Sequence, residues 1–570
     1  MKKRLIYILA GFILMMSISC KDYLTVQPEG YIPADENFKN ADDAITSIYG
    51  LYGLMQPLVD QIFLAGEAQA DLVVEARGAD QYISEIAQNR VNPLNPYTDY
   101  TNFYKLIVAC NNTMAGLDKI IRVDPVNYSV DRYNYNIAEV MYIRVWAYMQ
   151  IVKIWGDAPY VDFSVTSVEQ LKDISAMKSS DILAKIETDA LKYYPIMLTA
   201  SPSSSAIGGN IAGSEIRIFR AQFNNFAAQC LLSEIFLYRG NYARAKDILG
   251  QLVPFGNALN GNAGAFSMTS YDYGTWQNLF ISVPTGEAND GRALYIDFDG
   301  SKGQTNSLER WTNNNIQNGG IYALKPSSVA LKNWKEAPNM LLQYQNTTAG
   351  YFVDLTKTAS ADCNPVLDAD GMPIIGGYGD RVRGEGISFM PSGKDTLIFK
   401  YLMKTRGIIK NVQQNDNNSN NDAMFIVYRD GPMYLMVCEL YNHLGLSNQA
   451  LAMLNGGVNG SAYKGVRYRA RLAPLKLDPN GGDIVKQVDM MILREKALEA
   501  GFEGLRWFDL VRMAKNYSDP SILANLVAQK YPVNKQAAVI ARLSDPNYWY
   551  FPYYQRNVDA NKLLKQKSGY

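Results

Sequence analysis

The sequence predicts a mainly α fold, a helical scaffold carrying a loop-rich, aromatic-rich inserted subdomain, and three features predict it. Long segments on either side of the middle repeat apolar residues at helical spacing. Several of these segments stop at a glycine and restart as a second helix with an alanine inside it. Between them, roughly from Pro254 to Asp422, the periodicity fades and Gly, Asn, Ser and aromatic residues take over.

Met1 to Cys20 reads as an export signal. Lys2, Lys3 and Arg4 form a basic start, and the apolar run Leu5 to Met16 is too short to span a bilayer comfortably. Ser17-Ile18-Ser19 leads to Cys20 and resembles the lipobox of bacterial lipoproteins, which implies cleavage that leaves Cys20 as a lipidated N-terminus. No other apolar run is long enough for a membrane helix, so the mature chain is expected to be tethered by lipid and otherwise soluble. Lys21 to Pro33 reads as an extended stalk, and residues 21–570 as one domain, with the scaffold over about 34–253 and 423–570 and the insertion over about 254–422.

Helices are expected at Ala41–Met55, Tyr100–Ile121 and Asp131–Trp155. Arg77 to Tyr100 breaks the pattern with Asn92, Pro93, Asn95 and Pro96 and reads as a loop. Two helical hairpins follow. One lies in Ala221–Val253, with Gly240 at its turn and Ala245 beyond; the other lies in Met433–Leu454, with Gly445 and Ala450 in the same relation. Small residues where helices cross are the mark of tetratricopeptide-like units, here far apart rather than in tandem. Inside the insertion, Ala293–Phe298 is expected as a strand, and the polar run Asn411–Asp422 as a loop.

Composition narrows the function. The 55 Lys+Arg balance 55 Asp+Glu, so nothing suggests nucleic-acid binding. A single histidine, His443, removes any two-histidine zinc site; it sits in the last turn of an expected helix, where a basic ring suits the dipole. The other cysteines, Cys110, Cys230, Cys363 and Cys438, form no CxxC pair, and three of them read as buried thiols in helices, although a disulfide stays open in an exported chain. Gly208–Ser214 has phosphate-loop glycines without the lysine, and Asp368-Ala369-Asp370-Gly371 and Asp297-Phe298-Asp299-Gly300 read as surface turns rather than calcium loops. No cofactor, metal or catalytic residue is nominated. The 39 tyrosines instead suit wet surfaces that bind polar ligands.

Ile492–Arg512 threads Arg494, Glu495, Glu499, Glu503, Arg506, Asp509 and Arg512 between Leu498, Phe502 and Leu505, like one helix with acids and bases paired along its face. This block resembles the most recognisable stretch of the SusD/RagB family of outer-membrane lipoproteins from Bacteroidota. Cys20–Leu24, Gln27–Gly30, Ala138–Arg144, Ala147-Tyr148, Trp155–Tyr160, Tyr428–Gly445 and Phe551–Tyr570 are similar to its other motifs; Ser17 and Tyr553-Tyr554 depart from the pattern.

The resemblance implies capture of glycans, or of peptides in some members, without cleavage, and delivery to a SusC-like TonB-dependent transporter at the cell surface. It also makes the acid–base block a structural seam rather than a catalytic one. Two rival readings stand beside glycan capture: a peptide-capturing RagB-like member of the same family and, behind it, a glycan-degrading surface enzyme. Flat rings for sugar faces and polar groups for hydroxyls nominate Tyr82, Tyr97, Tyr100, Trp276 and Trp311, with Arg77 and Asn95, as a ligand site shared between the Arg77–Tyr100 loop and the insertion.

Overall fold

The structure, a computed structural model, describes residues 37–167, 170, 172–199, 221–252, 276, 279–280, 291–344, 363–366, 369, 374–380, 382–403, 421–456 and 465–570. The signal with Cys20, the stalk, Gly208–Ser214, most of the Asp368–Gly371 turn and Asn411–Asn420 lie outside the described residues.

The chain is mainly helical. Helix α1 (Ala41–Met55) starts at Asn40, whose side chain accepts the Asp42 and Asp43 amides while Asp43 bonds back to the cap, closing a capping box. A short helix, α2 (Gln81–Ala87), follows the β1 strand (Val73–Glu75). Helices α3 (Thr101–Val123) and α4 (Val130–Trp155) match the expected segments to within two residues. Every residue of α4 from Tyr135 to Trp155 is buried, because α3 and α5 (Ser179–Thr199) pack against it and α1 and α6 (Asn225–Tyr238) also reach it. It ends at Gly156, whose φ of 70° suits a residue without a Cβ.

The two expected hairpins form. Helices α6 and α7 (Tyr242–Leu252) turn at Gly240. After the insertion, which carries the short helices α8 (Leu308–Thr312) and α9 (Ser328–Lys335), α10 (Asp430–His443) and α11 (Ser447–Asn455) turn at Gly445. Ala245 and Ala450 are both fully buried, as close helix crossing requires. The α7 helix packs on α10, which joins the two hairpins across the long insertion. Helices α12 (Ile484–Glu499), α13 (Arg506–Asn516), α14 (Ser521–Ala528) and α15 (Val533–Leu543) complete the scaffold.

Strands come in pairs. From the insertion, β2 (Arg292–Ile296) pairs antiparallel with β6 (Phe425–Arg429), and β3 (Leu324–Pro326) pairs with β1 in the register Val73↔Pro326. The β4 (Phe389–Ser392) and β5 (Asp395–Ile398) strands form a hairpin. Cys110, Cys230 and Cys438 are free thiols buried in α3, α6 and α10.

The Ile492–Arg512 block departs from one continuous helix. It is α12, a turn and α13, with Phe502 at φ 71° and Gly504 at φ 77° reversing the chain. Its charges also pair differently from expectation. Only Asp509 and Arg512 meet within the block at the spacing of a helix turn. Lys496 also meets Asp509 across the turn. Most of the others reach outward: Glu495 and Glu499 to Arg383, Glu495 to Arg467, Glu499 and Glu503 to Arg429, Glu503 to Lys400, Arg506 to Asp71, and Arg512 to Glu439. All of these groups except the half-buried Asp509 are buried. Two of the cations, Arg383 and Lys400, belong to the insertion, so the seam ties the insertion to the scaffold. Charges taken out of water survive only with such complete pairing.

Candidate functional site

The β1 strand is set rigidly before it reaches any exposed surface. The turn preceding it, Ala68 to Val73, wraps the Lys530 ammonium, whose Nζ donates to the carbonyls of Ala70 at 2.7 Å and Ala68 at 2.9 Å. Burial pushes this amine down to about 7, against which the carbonyl cage and the neighbouring Asp71, Glu75 and Glu67 favour the charged form. Asp71 binds Arg506 through both carboxylate oxygens, at 2.8 and 2.9 Å. The Ser327 hydroxyl donates to the Asp71 carbonyl at 2.6 Å, and the Ser327 amide to the Leu72 carbonyl at 2.8 Å.

Past the β1–β3 pair the two chains stay together. The Ala76 amide donates to the Ala323 carbonyl at 2.8 Å and the Gly78 amide to the Tyr322 carbonyl at 3.0 Å. A Cβ on Gly78 would sit 1.6 Å from the Ile321 carbonyl oxygen, so this approach demands glycine. One layer further, the amides of Ile321 and Ala323 donate to the carbonyls of Arg310 and Trp311. These bonds place the Arg77–Tyr100 loop against residues 310–323 of the insertion.

Arg77 is the exposed centre of this junction. Its guanidinium lies 4.7 Å above the centre of the Tyr322 ring, and its Nη1 donates to both Asp395 oxygens, at 2.7 and 2.8 Å. Its side chain remains 48% exposed, whereas that of Asp395 is 12% exposed. Asn314 donates to Asp395 at 2.9 Å. Tyr322 is buried and held from below, its hydroxyl donating to the Thr396 carbonyl at 2.9 Å. It also adopts φ 54°, a left-handed backbone that costs a bulky residue energy and recurs at functional sites.

The other nominated residues divide. Tyr97 is half-buried, and its ring meets Trp311 edge-on at 6.1 Å. Burial, helped by Asp60 and Asp80, pushes its hydroxyl up to about 12, so it stays a neutral donor. Tyr82 is half-buried in α2. Trp311, at 3% exposure, packs on Phe63 behind Tyr97. Asn95 is buried: its side-chain amide donates to the Tyr82 carbonyl and to Glu85, both at 2.9 Å, and its oxygen accepts the Tyr97 amide. It shapes the loop from within. Tyr100 packs against Trp155, Tyr104 and Tyr553 in the core. Trp276, at 0% exposure, lies beneath Arg429 and Lys400 in a separate cluster.

Burial therefore moves Asn95, Tyr100, Trp276 and Trp311 from ligand-facing positions to supporting ones, and leaves Arg77, Tyr82 and Tyr97 at the surface. Asn314 and Asp395, both half-buried, join them, while Tyr322 supports Arg77 from beneath. Sequence could nominate Tyr322 as one more ring of the insertion, but no local pattern marks Asn314 or Asp395, because their role depends on a partner 318 residues away in the case of Asp395.

Elsewhere, His443 closes α10 as expected and bonds Asp489 at 2.6 Å while stacking on Tyr242 at 4.2 Å. Burial pushes its pKa down, but the Asp489 carboxylate outweighs this and the net shift is upward. Among the described residues no group of three His, Cys, Asp or Glu side chains could hold a metal, and no helix is long and apolar enough to cross a membrane.

The family model described as the SusD family matches residues 380–570. Two curated relatives from Formosa agariphila, SusD-like proteins P38 and P2, are 23% and 22% identical over 88% of this chain, covering 91% and 89% of their own lengths. Among solved structures, a SusD superfamily protein from Bacteroides thetaiotaomicron superposes with a TM-score of 0.65 at 19% identity, over 93% of this chain and 99% of the other. One from Bacteroides vulgatus gives 0.64 at 17%, over 94% and 100%. A structure described as a laminarin binding SusD-like protein gives 0.57 at 16%, over 93% and 100%. The match covers the seam and the closing segment in sequence, and the whole helical scaffold in fold. The chain is thus similar in sequence to the SusD family over residues 380–570 and shares the fold of SusD superfamily structures.

Proposed function

We propose that this chain is a non-catalytic glycan-capturing lipoprotein of the cell surface, anchored through Cys20, which hands oligosaccharides to a SusC-like TonB-dependent transporter. The observation that carries the reading is the Arg77 junction: an exposed guanidinium fixed over Tyr322, with the half-buried rings of Tyr82 and Tyr97 on the same loop. Fixed donors beside aromatic rings suit sugar hydroxyls and ring faces. The laminarin-binding relative in fold supports the ligand class. The carboxylates that first suggest acid–base chemistry, Glu495, Glu499 and Glu503, are buried and committed to arginine and lysine partners.

The test is binding of purified protein, without its signal, to a glycan array, followed by titration calorimetry on the hits. Binding without product release, lost in Arg77→Ala, is the expected result. Release of shortened glycans would favour the enzyme reading, and no binding to any glycan would sink the proposal. Radiolabelled palmitate incorporation, lost in Cys20→Ser, tests the anchor, and co-purification of a barrel protein from membranes tests the partner.

A further inference from the structure

The Arg77 junction also bears on which glycans it can hold, an inference that rests on the capture reading above. A lone exposed arginine would favour acidic sugars, since guanidinium binds carboxylate or sulfate in a bidentate fork. Here the guanidinium already faces a carboxylate that balances its charge: Nη1 donates to both oxygens of Asp395. Asn314 holds Asp395 in place, and Arg77 covers it so that little of the carboxylate is exposed. Burial pushes the Asp395 carboxyl up, but the bonds from Arg77 and Asn314 outweigh this and keep it ionised below its ordinary range.

The surrounding charges continue the balance. Arg310 and Asp80, the cap of α2, both act electrostatically on the Tyr97 hydroxyl, Lys394 acts on the Asp395 carboxylate, and Glu85 takes the Asn95 amide. Beside them on the insertion lie the exposed Ile316 and Gln317 and the half-buried amides Asn315 and Asn318, with Asn314 next to them. Among the described residues, Nε and Nη2 of Arg77 have no bonded partner, so two donor nitrogens with three N–H groups remain on a cation whose charge Asp395 balances.

We infer that this face selects uncharged glycans, because Asp395 cancels the charge of Arg77 while leaving its donors available to hydroxyl groups. An anionic sugar would lose water from its carboxylate or sulfate, meet a cation already neutralised, and lie beside the Asp395 carboxylate.

The experiment compares neutral oligosaccharides prepared from laminarin and from starch with acidic ones prepared from alginate and from carrageenan. Each is titrated into the purified chain at 50 and 500 mM NaCl. Neutral binding that changes less than about twofold between the two salts, with acidic ligands at least about tenfold weaker, is expected; a neutral contact releases no counterions. Asp395→Asn, checked for an unchanged melting temperature, should narrow the neutral-to-acidic ratio by about tenfold. The wild-type salt comparison stands even if that variant misfolds. Acidic glycans bound as tightly as neutral ones, or neutral binding that falls more than tenfold with salt, would overturn the inference and leave capture standing. Failure of every glycan of both classes would overturn the capture reading, and this inference with it.

Discussion

Arg429 and Glu503 face each other through two parallel hydrogen bonds, Nε to Oε2 and Nη2 to Oε1, each 2.8 Å long and fully enclosed. Arg429 closes the β6 strand and Glu503 lies in the turn between α12 and α13, so one side-chain pair fastens the second hairpin to the late helices. Arg429 also reaches Glu499, and Lys400 shares Glu503.

Removing one partner of such a pair strands the others. Arg429→Ala should lower unfolding free energy by roughly 3–5 kcal/mol, because two buried carboxylates each lose one of their two cations, leaving Glu499 to Arg383 and Glu503 to Lys400. Arg506→Ala, which frees Asp71, should cost a similar amount. Urea unfolding measures both, and glycan specificity in the folded fraction should not change. A selective loss of binding in a fully stable Arg506→Ala would contradict the structural role.

At the junction, Gly78→Ala forces a Cβ into the Ile321 carbonyl. The backbone must part, at a cost of about 1–3 kcal/mol, and Arg77 shifts away from Tyr322. Affinity should fall with only modest loss of melting temperature. Full affinity in this variant would show that the two chains need not be in register.

The nominated rings can be sorted by where their loss is felt. Tyr97→Ala should weaken glycan binding about tenfold, equivalent to ~1.4 kcal/mol, with little change in melting temperature. Trp276→Ala and Trp311→Ala should instead destabilise by roughly 3–5 kcal/mol as enclosed rings leave cavities. Calorimetry and thermal unfolding on the same preparations separate the two outcomes. Unaltered stability in both tryptophan variants would return them to the ligand face.

Glu139 gives the fold a pH dependence of known sign. It lies enclosed in α4, where burial pushes its carboxyl up to about 7 despite the 2.6 Å bond from the Tyr52 hydroxyl; Tyr135 is close by. An unfolded Glu titrates at 4.5. Between those values the folded chain keeps a proton that the unfolded chain has released. This contribution is therefore full below pH 4.5 and lost as pH rises through 7. Glu139→Gln, which cannot ionise, should gain on the wild type by up to roughly 3 kcal/mol between pH 5 and pH 8. A melting-temperature difference that stays constant with pH would disprove this.

Much of the scaffold is legible in the sequence because helices announce themselves locally. The α1 span Ala41–Met55 and the hairpin glycines 240 and 445 follow from apolar spacing and from the need for positive φ. The seam is less legible. Spacing within Ile492–Arg512 suggests pairing along one helix, yet Phe502 and Gly504 turn the chain and most partners lie tens to hundreds of residues away. The site is least legible. A tryptophan suits a sugar platform and a core equally well, so Trp276 and Trp311 read alike from sequence, and only tertiary packing shows both enclosed. Asp395 acquires its meaning solely from Arg77.

The turn that carries β1 is fixed by residues far down the chain. Glu67 accepts the amides of Phe502 and Gly504, 435 and 437 residues away, and Lys530 fills the carbonyl cage of Ala68 to Val73 from 462 to 457 residues away. Contacts of that separation form late, after most of the chain has paid its loop-closure entropy. The ligand face is thus a report on completion. A chain broken before Lys530 would lack the ammonium that fills this cage, so the turn leading into β1 and Arg77 is expected to lose its fixed position.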